Sequence, residues 1–202
     1  MDPRRPLSTT TVAEVAARLD AAPARLGGVR LVCIDGPAGS GKTTVAGRLA
    51  AALGDAAALM HLEDLYAGWT LTGAVARLRA GVLRPLANGR TGTYHCYDWA
   101  TERFSAEPTA VPVRPVLLVE GCGSSPRCLD PWTTLRIWVE APAQLRVARG
   151  LARDGDGMEP QWRRWQVTEA AEFTREDTRA RADVRLDGAS PEFLLEGTFA
   201  LL

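Results

Sequence analysis

Eight consecutive residues have the types and the spacing of a phosphate-binding loop. Residues 36–43 read Gly-Pro-Ala-Gly-Ser-Gly-Lys-Thr and match G-x-x-x-x-G-K-[ST] at every fixed position. The glycines permit backbone conformations that turn successive N–H groups inward, which creates a concave site for an anion. Lys42 is the only lysine of the chain, and its compact ammonium suits the β- and γ-phosphates of a nucleotide better than a flat guanidinium. The predicted phosphate-binding residues are Gly36, Ala38, Gly39, Ser40, Gly41, Lys42, Thr43 and Thr44.

Two carboxylates follow apolar, strand-like stretches of the sequence. Asp64 comes just after residues 57–62, and Glu120 closes residues 116–120. In a parallel sheet the carboxyl ends of the strands face the ligand. Asp64 in such a place can accept a proton from an attacking hydroxyl, or hold a metal ion through water; the alternative is a helix N-cap or loop carboxylate. We predict a Mg²⁺ site formed by Thr43, Asp64 and Glu120.

The rest of the chain alternates strand-like and helix-like stretches, which predicts a three-layer α/β fold. Strands separated by helices favour a parallel sheet of about five strands with helices on both faces. The expected strands cover residues 29–35, 57–62, 116–120, 135–139 and 182–186; the expected helices cover residues 9–20, 42–53, 70–80, 142–153 and 160–180; loop signals fill residues 84–112. We expect one domain over residues 1–202, with a core over 29–188 and a helical lid over about 145–165.

The composition excludes several classes of protein. The 202 residues include 24 basic and 24 acidic side chains, so the chain lacks the positive charge of a general nucleic-acid binder. No apolar run approaches the roughly 18 residues that a membrane span needs, and residues 1–6 lack the apolar stretch of a secretory signal. We therefore expect a cytoplasmic protein without a nucleic-acid or membrane partner, and homo-oligomerisation stays open.

Several short motifs resemble the uridine kinase branch of the P-loop small-molecule kinases, which also includes phosphoribulokinase-like and pantothenate kinase-like enzymes. In that family a D-x-F-Y segment at a strand end carries the catalytic aspartate, and residues 64–66 (Asp-Leu-Tyr) are similar to a shortened version. The E-G pair that closes the family's third strand is matched by Glu120 and Gly121. The family's sugar-contacting Y-D segment with a nearby arginine is matched by Tyr97, Asp98 and Arg103. Its lid helix, with spaced arginines and a final R-D, is matched by Arg146, Arg149, Arg153 and Asp154. Its A-D-hydrophobic strand start is matched by Ala182, Asp183 and Val184.

The resemblance implies a P-loop NTPase fold and an ATP- and Mg²⁺-dependent transfer of the γ-phosphoryl group to a hydroxyl of a small molecule. A nucleoside-like acceptor is the first expectation, and a nucleoside monophosphate or another polyol is the next. The implied catalytic residues are Lys42, Asp64, Arg149 and Arg153. The implied acceptor pocket consists of Asp64, Tyr66, Tyr97, Asp98, Arg103 and Glu120.

The sequence also departs from the family pattern. The family's Y-D segment continues to a histidine and an arginine, whereas residues 99–103 contain no histidine, and Gly-Asp-Gly at 155–157 replaces the basic run that usually follows R-D. An acceptor other than uridine therefore stays open, as does a P-loop protein that binds nucleotide without turnover. A switch GTPase is excluded, because its N-K-x-D base reader would need a second lysine.

Tryptophans are the remaining candidates for ligand contacts. Trp162 and Trp165 lie roughly on one face of a predicted helix and are expected to pack in the core or the lid. Trp69 and Trp99 follow motif residues in predicted loops, so either indole is a candidate to stack on an aromatic acceptor or on adenine.

Overall fold

Five parallel strands form the centre of the computed structural model, which describes residues 9–191 and 197–202. They are β2 (Arg30–Asp35), β3 (Ala57–His61), β8 (Val116–Glu120), β9 (Thr133–Glu140) and β10 (Val184–Asp187). Their order across the sheet is β10-β9-β2-β8-β3, and every neighbouring pair is parallel. The expected sheet is therefore confirmed.

Helices cover both faces of this sheet. They are α1 (Val12–Ala21), α2 (Lys42–Leu53), α3 (Ala74–Leu78), α4 (Arg84–Ala87), α5 (Ala143–Asp154), α6 (Glu159–Glu176) and α7 (Thr178–Arg181). Leu31 and Cys33 of β2 belong to the apolar core that includes residues of α3 and α6, whereas Val32 and Ile34 belong to the core that includes residues of α1 and α2. Burial on both faces explains why these strands read as continuous apolar runs.

The largest difference from the sequence prediction lies in residues 84–112. The helical stretch runs on from α3 through a π-helical turn (Arg79–Leu83) into α4, whose second residue is Pro85. Four short strands follow, paired as β4 (Gly92–Tyr94) with β7 (Thr109–Val111) and β5 (Tyr97–Asp98) with β6 (Arg103–Phe104). Strands of two or three residues are too short to show an alternating pattern in the sequence.

The two ends of the described chain pair with each other. Strand β1 (Thr9–Thr11) is antiparallel to β11 (Thr198–Ala200), so the helix expected from residue 9 begins only at Val12. Residues 1–6, on which the expectation about a secretory signal rests, lie outside the described residues. Among the helices that the structure describes, none is long and apolar enough to cross a bilayer.

Helices α5 and α6 form the region predicted as a lid, and they touch through a glycine. Trp162 of α6 is almost fully buried, and a Cβ atom at Gly150 of α5 would lie 2.1 Å from its indole ring. Only a residue without a side chain at position 150 lets the two helices approach this closely.

We predict that Gly150→Ala destabilises the protein, because the added methyl group forces α6 away from α5. The expected loss in the free energy of unfolding is about 1–3 kcal/mol, measured by urea denaturation. Gly47→Ala in α2 is the matched control, since a Cβ there meets nothing within 4 Å and the better helix propensity of alanine should stabilise by about 0.5–1 kcal/mol. Equal effects of the two variants would contradict this account of the α5–α6 contact.

Candidate active site

The phosphate loop runs from the end of β2 to the start of α2. Gly36 has a φ of 142°, and a Cβ there would lie 2.0 Å from the carbonyl oxygen of Val139, so the loop needs glycine at its first position. Gly41 caps α2 in the left-handed region with a φ of 105°. Ser40 is fully buried, and Thr44 is exposed in the first turn of α2. The first N–H groups of α2 lack intrahelical acceptors, which suits them to bind an anion.

Lys42 lies inside this loop. Its side chain is buried, and Nζ donates to the carbonyl oxygen of Pro37 at 3.0 Å and to Sγ of Cys122 at 3.5 Å. Burial lowers the pKa of the ammonium, but the neighbouring Cys122, Glu120 and Asp35 raise it more, so the net pKa lies above its usual value. Lys42 therefore carries a positive charge at the centre of the loop.

Thr43 and Glu120 form the best candidate metal site. The hydroxyl of Thr43 donates to Oε1 of Glu120 at 3.1 Å, and Nδ1 of His61 lies 2.6 Å from the same oxygen. His61 and Glu120 are register partners at the ends of β3 and β8, and the hydrogen bond with Glu120 raises the pKa of His61. Two hard oxygen ligands side by side fit Mg²⁺, which takes its other ligands from phosphates and water. No cluster of three or more His, Cys, Asp or Glu residues able to hold a metal occurs in the described residues.

Asp64 lies in a 3₁₀ turn (Leu62–Leu65) that follows β3. Its Oδ2 accepts a hydrogen bond from the hydroxyl of Tyr94 in β4 at 2.9 Å. Burial and this hydrogen bond raise the pKa of Tyr94, so the phenol stays protonated and donates a hydrogen bond to the carboxylate. Tyr94 thereby orients Asp64, a contact that the sequence analysis missed because the strand is only three residues long.

Three of the predicted acceptor residues belong to the small β5–β6 hairpin. Asp98 pairs in register with Arg103, and its Oδ1 accepts the N–H groups of Ala100 and Thr101 at 2.8 and 3.3 Å. These hydrogen bonds lower the pKa of Asp98. Tyr97 is buried, with its ring centroid 5.3 Å from that of Trp99. The structure thus brings Tyr97, Asp98 and Arg103 together.

Tyr66 is placed differently from the other predicted acceptor residues. It is buried beneath the site, where its hydroxyl donates to the carbonyl oxygen of Cys122 at 2.8 Å and its ring lies 5.4 Å from that of Trp165. Above it, Trp69 contacts Trp165 at 5.9 Å and Trp99 at 5.8 Å between ring centroids. Trp69 and Trp99 are exposed by 39% and 43%, so this aromatic row from α6 to the hairpin is partly open to solvent.

The arginines of α5 have different partners. Arg149 donates to the carbonyl oxygens of Gly39 and Gly188 at 3.2 and 3.0 Å. Arg153 forms an ion pair with Asp154 at 2.7 Å and is largely exposed. The structure therefore places Arg149, but not Arg153, against the phosphate loop.

Arg146 also contacts the loop, together with a residue that the sequence analysis missed. It donates to the carbonyl oxygen of Ala38 at 3.3 Å and pairs with Glu169 of α6 at 2.8 Å. Glu169 is buried, and its Oε2 accepts the N–H of Ala38 at 2.7 Å. Its position in line with the buried Trp162 and Trp165 on α6 was the available signal, because a carboxylate on an apolar helix face needs a partner.

Asp35 is the second residue that the sequence analysis missed. It ends β2 and is fully buried, and its carboxylate accepts the N–H groups of Gly36, Gly123 and Ser125 at 2.7, 2.8 and 2.9 Å. Burial raises its pKa from 3.8 to about 6, against the opposing effect of the three N–H donors. The sequence signal for Asp35 was its position, because an acidic residue ends an apolar strand directly before the first glycine of the loop.

The three-dimensional structure is similar to solved structures that are described as kinases. A possible uridine kinase from Bacillus stearothermophilus has a TM-score of 0.60 at 22% identity, over 85% of this chain and 98% of that one. A protein from Silicibacter sp. TM1040, described as a fructose transport system kinase, has a TM-score of 0.51 at 22% identity, over 85% and 89%. D-glycerate 3-kinase from Cryptococcus neoformans var. grubii follows with 0.48 at 16% identity, over 80% and 87%.

No protein-family model and no curated protein sequence matches the chain. The similarity to the first two structures establishes the fold. The fold is that of the P-loop kinases, and the resemblance to the uridine kinase type that the motifs predicted is confirmed at this level.

We predict that Asp35 makes the stability of the protein depend on pH. Because the raised pKa lets the folded state bind more protons than the unfolded state between about pH 4 and 6, the contribution of Asp35 to the free energy of unfolding falls as pH rises through that window. The free energy of unfolding of the wild type, minus that of Asp35→Asn at the same pH, should fall by on the order of 2–3 kcal/mol from about pH 4 to pH 7. Urea denaturation of both proteins across this range measures the difference, and a difference independent of pH would contradict the assignment.

Proposed function

We propose that this protein is a kinase that transfers the γ-phosphoryl group of ATP to a hydroxyl of a small molecule, with Mg²⁺. The observation that carries the proposal is the placement of three chemical groups at one edge of the sheet. Lys42 and Thr43 follow β2, Glu120 ends β8, and Asp64 follows β3. These strands are neighbours and parallel, so a phosphate loop, a metal ligand pair and a proton acceptor share the carboxyl edge where ligands bind in such sheets.

The loop and α2 would bind the triphosphate. The N–H groups of the loop and the ammonium of Lys42 would provide positive charge for the phosphates. Thr43 and Glu120 would hold Mg²⁺, which when bound neutralises charge on the phosphate oxygens. Glu120 is held for this task by His61, 2.6 Å from its Oε1.

Asp64 would accept the proton of the attacking hydroxyl. The hydrogen bond from Tyr94 fixes the orientation of its carboxylate, and a positioned base of this kind contributes about 10²–10⁴-fold to a reaction rate. A carboxylate that accepts the proton as the new O–P bond forms keeps the nucleophile from building up positive charge.

The acceptor would lie between the hairpin and the aromatic row. Tyr97, Asp98 and Arg103 would offer polar groups for the hydroxyls of a sugar, and the partly exposed Trp69 and Trp99 would suit a planar group. Both features favour a nucleoside-like acceptor. A nucleoside monophosphate or another polyol is the next class to test.

The lid arginines would complete the site. Arg149 already reaches the loop through the carbonyl oxygen of Gly39, and Arg153 would reach the transferring phosphoryl group by exchanging its partner Asp154. Their charge would stabilise the negative charge that spreads over the phosphoryl oxygens, and closure of the lid would exclude water.

A second candidate function is nucleotide binding without kinase turnover. The observation that favours it is the engagement of both the loop and the lid by internal carboxylates, since Ala38 binds Glu169 and Arg153 binds Asp154. A protein that keeps these contacts after ATP has bound would be a regulatory module or an ATPase rather than a kinase.

An ADP-release assay with Mg-ATP separates the two functions. Nucleosides, nucleoside monophosphates and small polyols are offered as acceptors, and Lys42→Ala serves as the blank. The kinase predicts ADP release that depends on one acceptor and is absent in the blank. Release without any acceptor, or none with every acceptor while ATP still raises the melting temperature, supports the second candidate.

We predict that Asp64→Asn lowers kcat by about 10²–10⁴-fold and leaves the Kd for ATP within about three-fold. The reason is that the amide cannot take the proton of the hydroxyl, whereas the phosphate loop is unchanged. Asp55→Asn, the same substitution at an exposed residue beyond the end of α2, is the control and should behave as the wild type. A kcat for Asp64→Asn equal to that of the wild type would show that Asp64 is not the base.

A further inference from the structure

The phosphate loop of this structure already binds an anion that belongs to the protein. Oε2 of Glu169 accepts the N–H of Ala38 at 2.7 Å, and Oε1 of the same carboxylate pairs with Arg146 at 2.8 Å. The carboxylate is buried, with 2% of the residue exposed. It comes from α6, far from the loop in sequence, so the contact is tertiary rather than a local cap.

The groups around Glu169 are those that suit a phosphate oxygen. They are an N–H of the loop and an arginine that also contacts the loop through the carbonyl oxygen of Ala38. Cys122, whose Sγ lies 3.5 Å from Oε2 of Glu169, is also 3.5 Å from Nζ of Lys42. The carboxylate of Glu169 therefore lies close enough to interact electrostatically with the ammonium of Lys42, which would bind the β- and γ-phosphates.

We propose that Glu169 is a resident anion of the phosphate loop, which competes with the phosphates of the nucleotide for the N–H of Ala38 and for Arg146. This inference rests on the proposed nucleotide site. Two anions on the same donors repel each other, so the phosphates bind only as the carboxylate leaves. Glu169 thus lowers the affinity for nucleotide and holds Arg146 until the phosphates arrive.

A purely structural role for Glu169 predicts a different dependence on ligand. If the residue only supported the loop, its replacement would weaken the binding of every ligand or of none. Competition affects only ligands that carry phosphates, and it follows the charge of the carboxylate rather than its shape. Glu169→Gln removes the charge and keeps the shape, which makes it the informative variant.

The test is calorimetric titration of wild type, Glu169→Gln and Glu172→Gln with ATP, inorganic tripolyphosphate and adenosine. Glu172 lies one turn further along α6 and pairs with Arg175 rather than with the loop, so Glu172→Gln is the matched control. We expect Glu169→Gln to bind ATP and tripolyphosphate at least about five-fold more tightly than the wild type. The affinity for adenosine and all affinities of Glu172→Gln should stay unchanged.

Unchanged or weaker binding of ATP and tripolyphosphate by folded Glu169→Gln overturns the inference. Should the variant not fold, carbodiimide labelling of wild-type carboxylates decides, because saturating tripolyphosphate should increase the labelling of Glu169 several-fold. Labelling that does not change overturns the inference. Tight binding without phosphoryl transfer would refute the proposed kinase and leave this inference standing, whereas no binding of either polyphosphate would refute both.

Discussion

A buried carboxylate that ties two loops together is the constraint on which the site depends. Asp35 accepts N–H groups from the phosphate loop at Gly36 and from the segment after β8 at Gly123 and Ser125. The phosphate loop carries Lys42, and Glu120 ends β8 directly before the second segment. Because β2 and β8 are paired strands, their ends already lie side by side, and the three N–H donors on one carboxylate join the two loops that follow them. Burial makes the charged form of this carboxylate unfavourable, and the pKa of Asp35 is raised as a result.

Helix α6 connects the phosphate loop to the aromatic row. One face of the helix carries Trp162, Trp165 and Glu169, which are its buried residues. Glu169 reaches the phosphate loop, whereas both tryptophans contact Trp69, which in turn contacts Trp99 of the hairpin. A shift of α6 that releases the loop therefore also moves the aromatic row. In the proposed kinase, this arrangement would give nucleotide and acceptor a physical route by which each affects the binding of the other.

Much of the fold could be predicted from the sequence because its signals are local. The helix expected over residues 42–53 is α2, and the five expected strands form the sheet, since apolar runs and a glycine-rich loop need no distant partner to be recognised. The hairpins between residues 92 and 111 escaped prediction because their strands are too short to show a pattern. Asp35 and Glu169 escaped for another reason: each acts through a contact with a residue on a different element. The burial of Tyr66 beneath the site is likewise a tertiary fact, although its neighbour Asp64 lies in the same short motif.

The most direct test of the account is the affinity of Lys42→Arg for Mg-ATP. Lys42 is buried, with Nζ held by the carbonyl oxygen of Pro37, and it is the only lysine in a chain that otherwise uses arginine. A guanidinium keeps the charge but is longer and flat, so it cannot take the place of the ammonium inside the loop. We predict a folded protein whose Kd for Mg-ATP rises by about ten-fold or more. Wild-type affinity in Lys42→Arg would contradict the claim that a compact ammonium at this position binds the phosphates.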